Sequence, residues 1–281
     1  MILSPGSSLA SSAVALLPAG AAIVCYAVAT FPAKSLLKAT TGALVAAWLL
    51  HFLVLVLDIG GWGQSTPGAR LGFASVLSIT VWLVIAVHEV ESRFVPLPTV
   101  RVILAPAGAW AVLLAIVFPA EPKLVVSSPL APLHFALGVA SYGLLGAAAL
   151  HAAMLDAAER RLRSGKGGAA LAAARPANTA MGMPLMQLER LTFRFVEAGF
   201  VVLTAALLLG VITTTQWHWD HKTVFSLLGW AVFAALLAGR HFRGWRGRRA
   251  TRWLYAGAAL LFLAYAGSRF VMEVLLGPPT A

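Results

Sequence analysis

The chain has 281 residues, of which 60% are hydrophobic and only 11% charged, with a formal charge of +11 and a mean hydropathy of +0.85. That composition excludes a soluble globule, because the apolar residues outnumber what a core of this length can hide from water. A nucleic-acid partner, which the charge alone would suggest, is excluded by how the charge is distributed.

Apolar runs of about 20 residues are long enough to cross a bilayer. Eight occur here, near Ser12–Phe31, Lys38–Ile59, Leu71–Val90, Pro98–Phe118, Leu130–Leu155, Leu191–Ile212, Thr223–Gly239 and Trp253–Leu276. Backbone polar groups in lipid must be satisfied within their own segment, so these runs predict helices. The expected fold is all-α: a polytopic integral membrane bundle of about eight transmembrane helices, a single domain over 1–281.

Lys and Arg fall almost wholly in alternate connections. The odd-numbered connections hold 17 of them and the even-numbered ones 3, with Arg269 left inside the last span. Positive connections stay cytoplasmic, which places both termini outside and makes anionic lipid the partner of the basic excess. The largest connection, 156–190, is basic and cytoplasmic, and its GGAALAAARPA stretch is too small and featureless for a folded domain. Cys25 is the only cysteine, so there is no disulfide, no CxxC pair and no CxxCH for covalent haem attachment. The start MILSPGSSLASS lacks a positively charged region, so the first span is expected to be retained rather than cleaved.

Ionisable residues inside spans are costly and point to function by default. His51, in the second span, follows Trp48 by three residues and precedes Asp58 by seven, which sets the three on about one face. His134 opens the fifth span on the outer side. Between the sixth and seventh spans the turn TTTQWHWDHKT brings Trp217, His218, Trp219, Asp220, His221 and Lys222 together, also outside. Arg269 and Glu273 stand four apart in the last span and can pair. Imidazole is the commonest protein ligand for metals and an axial ligand of haem iron. Indoles suit a porphyrin face, and an arginine suits a propionate.

Plainer explanations exist for each residue. Interfacial tryptophans form the usual aromatic belt. An isolated histidine is more often a hydrogen-bonded packing residue, and His88 and His151, near cytoplasmic helix ends, suit interfacial solvation. Arg269 and Glu273 make a structural pair. Asp220 makes a helix N-terminal carboxylate. Glu197 lies three residues from Arg194, as a local pair would.

Three segments add information. PLHFALGVASYGLLGAAALHA carries a His followed by a Ser-Tyr pair. LERLTFRFVEAGFVVLTAALLLGV has Arg, Gly-Phe and Leu-Thr steps, and WDHKTVFSLLGWAVFAALLAGRH runs from Trp-Asp-x-Lys to a terminal Arg-His. In this order they resemble the cytochrome c assembly family of haem-handling membrane proteins, the CcsA, CcmC and CcmF group. GRHFRGWRGRRATRW followed by LAYAGSRFV is similar to its short HemX/YpjD-type branch.

The resemblance implies an eight-span bundle of the bacterial cytoplasmic membrane that holds non-covalent haem b at its outer surface, with other cytochrome c maturation proteins as partners. By it, His134 matches the external histidine that ligates haem iron. His241 matches the histidine ending the penultimate span, and His51 the intramembrane histidine of the second. Trp219, Asp220 and Lys222 match what remains of the Trp-rich docking segment. That segment is shortened here to QWHWDHK, and the second external histidine expected after the last span is missing from SRFVMEVLLGPPTA. His221 or His51 is the alternative second axial ligand, with Arg269 on a propionate.

The expected function is haem binding and handling in cytochrome c biogenesis or tetrapyrrole control, by ligation rather than enzymatic turnover. The competing reading is a scaffold or transporter-associated subunit that has lost haem delivery. For transport, no inverted repeat or broken helix pair is visible.

Overall fold

The computed structural model describes residues 5–31, 37–60, 69–93, 98–119, 122–123, 129–163, 179–180, 183–213, 219–271 and 274. Among these the chain is almost entirely helical: α1 (Pro5–Thr30), α2 (Leu37–Gly60), α3 (Phe73–Ser92), α4 (Pro98–Val117), α5 (Ala131–Arg163), α6 (Leu185–Thr213), α7 (His221–Arg243) and α8 (Gly247–Phe262). A π-helical turn, Leu263–Gly267, carries α8 on into Ser268–Phe270.

Six helices are long and apolar enough to cross a membrane, those built on α2 to α7, and the described part of α1 adds a shorter apolar helix, Leu16–Thr30. The chain is a polytopic helical membrane protein. Pro18 and Pro106 lie inside α1 and α4, which lipid-embedded helices tolerate because neighbours satisfy the freed carbonyls. The basic connection is shorter than its composition predicts, since α5 continues to Arg163 and α6 starts at Leu185.

Two short antiparallel pairs join the helices. Ala69–Arg70 pairs with Pro122–Lys123, and Thr179–Ala180 with Met183–Pro184. The first pair links the second and fourth connections. Segments that share backbone hydrogen bonds must lie on one side of the membrane, in accord with the alternation of charge.

The chain divides into two compact units, one built on α1 to α4 and the other on α5 to α8. In the first, α1 packs along both α2 and α4. Trp48 and Trp82 stack at 4.9 Å with 6° between their planes, and each indole N–H donates to the other's carbonyl, at 3.2 and 3.0 Å. Each residue thereby satisfies a buried donor and an acceptor while tying α2 to α3.

In the second unit α5 lies along α6, and α8 packs on α5 and α7 around Leu145, Phe193, Leu203, Phe233, Leu236, Leu254 and Leu261. Asp220 caps α7, accepting the Thr223 N–H at 2.7 Å. Gly244 ends it in the left-handed region with φ 64°, and the N–H groups of Gly244 and Trp245 both return to the Gly239 carbonyl.

Candidate functional site

His134 stands in the first turn of α5, half-buried against α6. Its Nδ1 lies 3.0 Å from the carbonyl oxygen of Ala206. A carbonyl only accepts, so Nδ1 carries the hydrogen and donates it. In the neutral ring Nε2 then keeps its lone pair. This is how metal-ligating histidines are usually held, one nitrogen tied to a carbonyl and the other left to bind.

Gly210, one turn beyond Ala206 on α6, makes room for the ring. A Cβ on Gly210 would stand 2.9 Å from Cε1 of His134 and 3.4 Å from Nδ1. The imidazole thus lies against bare backbone, held in place by packing as well as by its hydrogen bond. Lys222, at the start of α7, acts electrostatically on His134, and its Nζ lies 5.7 Å from the centre of the Tyr265 ring. Tyr265 belongs to the π-helical turn, a geometry that recurs at functional positions.

The start of α7 supplies further groups. His221 is its first residue and is exposed, and Trp219 just before it is 72% exposed. Partial burial pushes the Asp220 carboxyl up, but its hydrogen bonds with Thr223 and the neighbouring Lys222 and His221 outweigh this and hold it below the usual carboxylate range. Trp217 and His218 fall outside the described residues. Where a cluster of imidazoles was sought, the described part of this turn offers one exposed imidazole, one exposed indole and a capping carboxylate.

His51 belongs to the first unit and is built differently. It is fully buried, with Nδ1 3.0 Å from the Tyr26 hydroxyl and Nε2 2.7 Å from the Ser78 hydroxyl. Both ring nitrogens are engaged, so the residue ties α1, α2 and α3 together, and neither nitrogen offers an open lone pair to iron. In this arrangement His51, expected as a possible axial ligand, has the bonding of a packing histidine. Asp58, on about the same face, accepts from the Ser75 hydroxyl at 2.9 Å.

Two other residues matched to the family are placed plainly. His241 is exposed in the last turn of α7, its ring edge-on to Phe242 at 4.9 Å. Arg269 follows the π-helical turn and belongs with the first unit. Its suggested partner Glu273 falls outside the described residues.

Sequence reasoning missed one buried pair. His151 is 2% exposed, far from the interfacial solvation expected of it, and Glu91 is 8% exposed. Nε2 of His151 lies 3.0 and 2.9 Å from the two carboxyl oxygens of Glu91, while Nδ1 donates to the Ala147 carbonyl at 2.7 Å. Imidazole and carboxyl thus meet as a hydrogen-bonded pair in the interior. Burial, invisible in the sequence, is what brings them together. The available signal was that each lies near the cytoplasmic end of its span. His88, also expected at the interface, is 5% exposed.

Among the described residues no group of three or more His, Cys, Asp or Glu side chains is placed to hold a metal ion.

The sequence profile of the family described as "Cytochrome C assembly protein" matches residues 21–276. The chain belongs to the cytochrome c assembly family. The match includes helices of both units and contains His51, His134, His221 and His241. Among relatives, the chain is 37% identical over 145 residues to "Inner membrane protein YpjD" of Escherichia coli (strain K12), an alignment covering 50% of this chain and 52% of that protein. It is 26% identical over 232 residues to "Cytochrome c biogenesis protein CcsA" of Synechococcus sp. (strain CC9902), covering 73% and 76%. It is also 32% identical over 93 residues to the CcsA of Gloeobacter violaceus, covering 31% and 28%. The match to the YpjD protein thus spans about half the length of that relative. No solved structure matches the chain.

Proposed function

We propose that this family member is a haem-binding protein of the bacterial cytoplasmic membrane, serving cytochrome c biogenesis by holding haem non-covalently at its outer face. The observation that carries the reading is the bond from His134 Nδ1 to the Ala206 carbonyl, which fixes the tautomer and leaves the Nε2 lone pair open to a metal. The names of the CcsA and YpjD relatives, a cytochrome c biogenesis protein and an inner membrane protein, support the process and the membrane.

Haem supplies the iron and the planar frame; the chain supplies a ligand, its orientation and a polar rim. His134 would hold the iron, and Gly210 keeps its ring in register. Exposed His221, at the start of α7, would be the second histidine available to it. Lys222 offers a charge to a propionate, and Trp219 an indole to the porphyrin face. His51 is left out of this set because both its nitrogens are already bonded. The chemistry is ligation and transfer, without enzymatic turnover.

The deciding experiment is an absorption spectrum of detergent-purified protein beside His134→Ala, followed by a pyridine haemochrome assay. A Soret band that weakens at least tenfold in the variant supports the reading. No band after haem is added and the excess removed would overturn it and favour a scaffold without cofactor.

A further inference from the structure

The turn joining α7 to α8 holds a second candidate site, on the face that the charge alternation assigns to the cytoplasm. Six arginines fall between Arg240 and Arg252. Two are already used within the fold. Arg240 pairs with Glu189 at 3.1 Å and lies over the Phe193 ring at 3.7 Å. Arg249 stacks over the Trp245 indole at 4.3 Å.

The other four, Arg243, Arg246, Arg248 and Arg252, are exposed. Among the described residues none of their guanidinium groups meets a carboxylate. Two of the acids nearby have other partners: Glu189 holds Arg240, and Asp156 accepts the Thr251 and Tyr255 hydroxyls at 3.1 and 3.0 Å. The stretch 161–184 contains no Asp or Glu. Glu159 stands at the turn, its Oε1 3.7 Å from where a Cβ on Gly247 would lie, one carboxylate beside four exposed guanidinium groups.

Its backbone is fixed, which separates it from a loose basic tail. Gly244 and Gly247 take positive φ of 64° and 56°. Trp245 is wedged onto α7, so close that a Cβ on Gly239 would sit 2.5 Å from its ring. Trp253 packs against Trp245 at 5.3 Å. The Trp245 indole nitrogen is buried and finds no acceptor among the described atoms, although a buried donor is costly to leave unpaired. Beside the arginines Phe242 is 81% exposed, at the end of a membrane-crossing helix where an aromatic ring meets the headgroup layer.

We propose that this turn binds the headgroup of an anionic phospholipid, such as phosphatidylglycerol, of the cytoplasmic leaflet. Guanidinium forks match phosphate oxygens in a bidentate way. The four arginines present those forks around a platform of Trp245 and Trp253, with Phe242 against the acyl boundary. Each basic residue near an anionic surface contributes roughly fivefold in affinity.

The test compares phosphatidylglycerol and phosphatidylcholine bound by the full-length protein in detergent, read by native mass spectrometry. The wild type is set beside Arg246→Gln/Arg248→Gln/Arg252→Gln and an equal-charge control, Arg160→Gln/Arg161→Gln/Arg163→Gln. The expected result is a loss of phosphatidylglycerol preference of at least fivefold in the turn variant and less than twofold in the control. Equal losses in both, or a preference that survives in the turn variant, would overturn the proposal.

A measurement on the wild type alone guards against misfolding of the variants. Photoreactive phosphatidylglycerol should crosslink mainly within residues 240–253. Crosslinks spread evenly over the other basic segment, 160–194, would mean attraction by charge without a site.

Discussion

His134 and Gly210 stand so close that the smallest side chain on Gly210 would press on the imidazole, 2.9 Å from its Cε1. The contact turns a family-matched histidine into an oriented one, because the ring can neither rotate towards α6 nor leave the Ala206 carbonyl without losing its hydrogen bond. Gly210→Ala should therefore shift the ring without deleting it. Haem affinity should fall about tenfold or more, a misplacement effect, while His134→Ala removes the axial band entirely. Titration of added haem, followed at the Soret maximum, checks the order of the two effects.

His51 gives the opposite expectation. Its two hydrogen bonds, to Tyr26 and Ser78, lie in a closed interior. His51→Ala leaves a cavity and two unsatisfied hydroxyls, a loss of about 3 kcal/mol or more. The Soret band of the protein that still folds should keep its position and intensity. A thermal melt read beside the spectrum separates the two, and a lost band with an unchanged melt would restore His51 as a ligand.

The pair of Glu91 and His151 should behave as a buried unit. Removing one member leaves a buried polar group without its partner, so Glu91→Ala or His151→Leu alone should destabilise by about 3 kcal/mol. Glu91→Leu/His151→Leu should recover a good part of that loss, since both groups are then apolar. A double-mutant cycle of melting in detergent measures the coupling. Additive losses would mean that the two do not act together.

Asp220 sets a pH dependence outside the membrane. Its carboxyl is held below the ordinary value in the folded state, so its stabilising contribution is complete above the unfolded value, about 3.9, and fades as pH falls through the lower folded value. At pH 7 Asp220→Ala should weaken the first turn of α7 by roughly 0.5–1 kcal/mol, a modest figure because the residue is exposed. Asp220→Asn should cost less. Hydrogen exchange at the Thr223 amide reads this directly, and the gap between wild type and Asp220→Ala should shrink in acid.

Part of the candidate site was legible in the chain. His134 could be singled out because it opens a span on the outer side beneath the motif PLHFALGVASYGLL, and Asp220 because it precedes an apolar run as a helix cap does. What set His134 apart from His51 could not be read from either position. Both are single histidines in apolar helices, and the difference lies in partners 72 residues away in one case and 25 and 27 away in the other. His151 was misread for the same reason. A histidine near the cytoplasmic end of a helix looks solvated, until Glu91, 60 residues earlier, is found against it.

The sequence by itself determined that this protein is a helical membrane protein and how its connections alternate. Those properties follow from local sums, namely whether about 20 successive residues are apolar enough to enter lipid and on which side positive charge accumulates. It also determined the family, through motifs that need no contact map. Only the tertiary structure decided which histidine keeps an open nitrogen and which is closed, which glutamate meets a histidine in the interior, and which arginines stand exposed at the turn after α7. Hydrogen-bond saturation is a property of two or three distant segments brought within about 3 Å of one another, and no window along a single chain contains it.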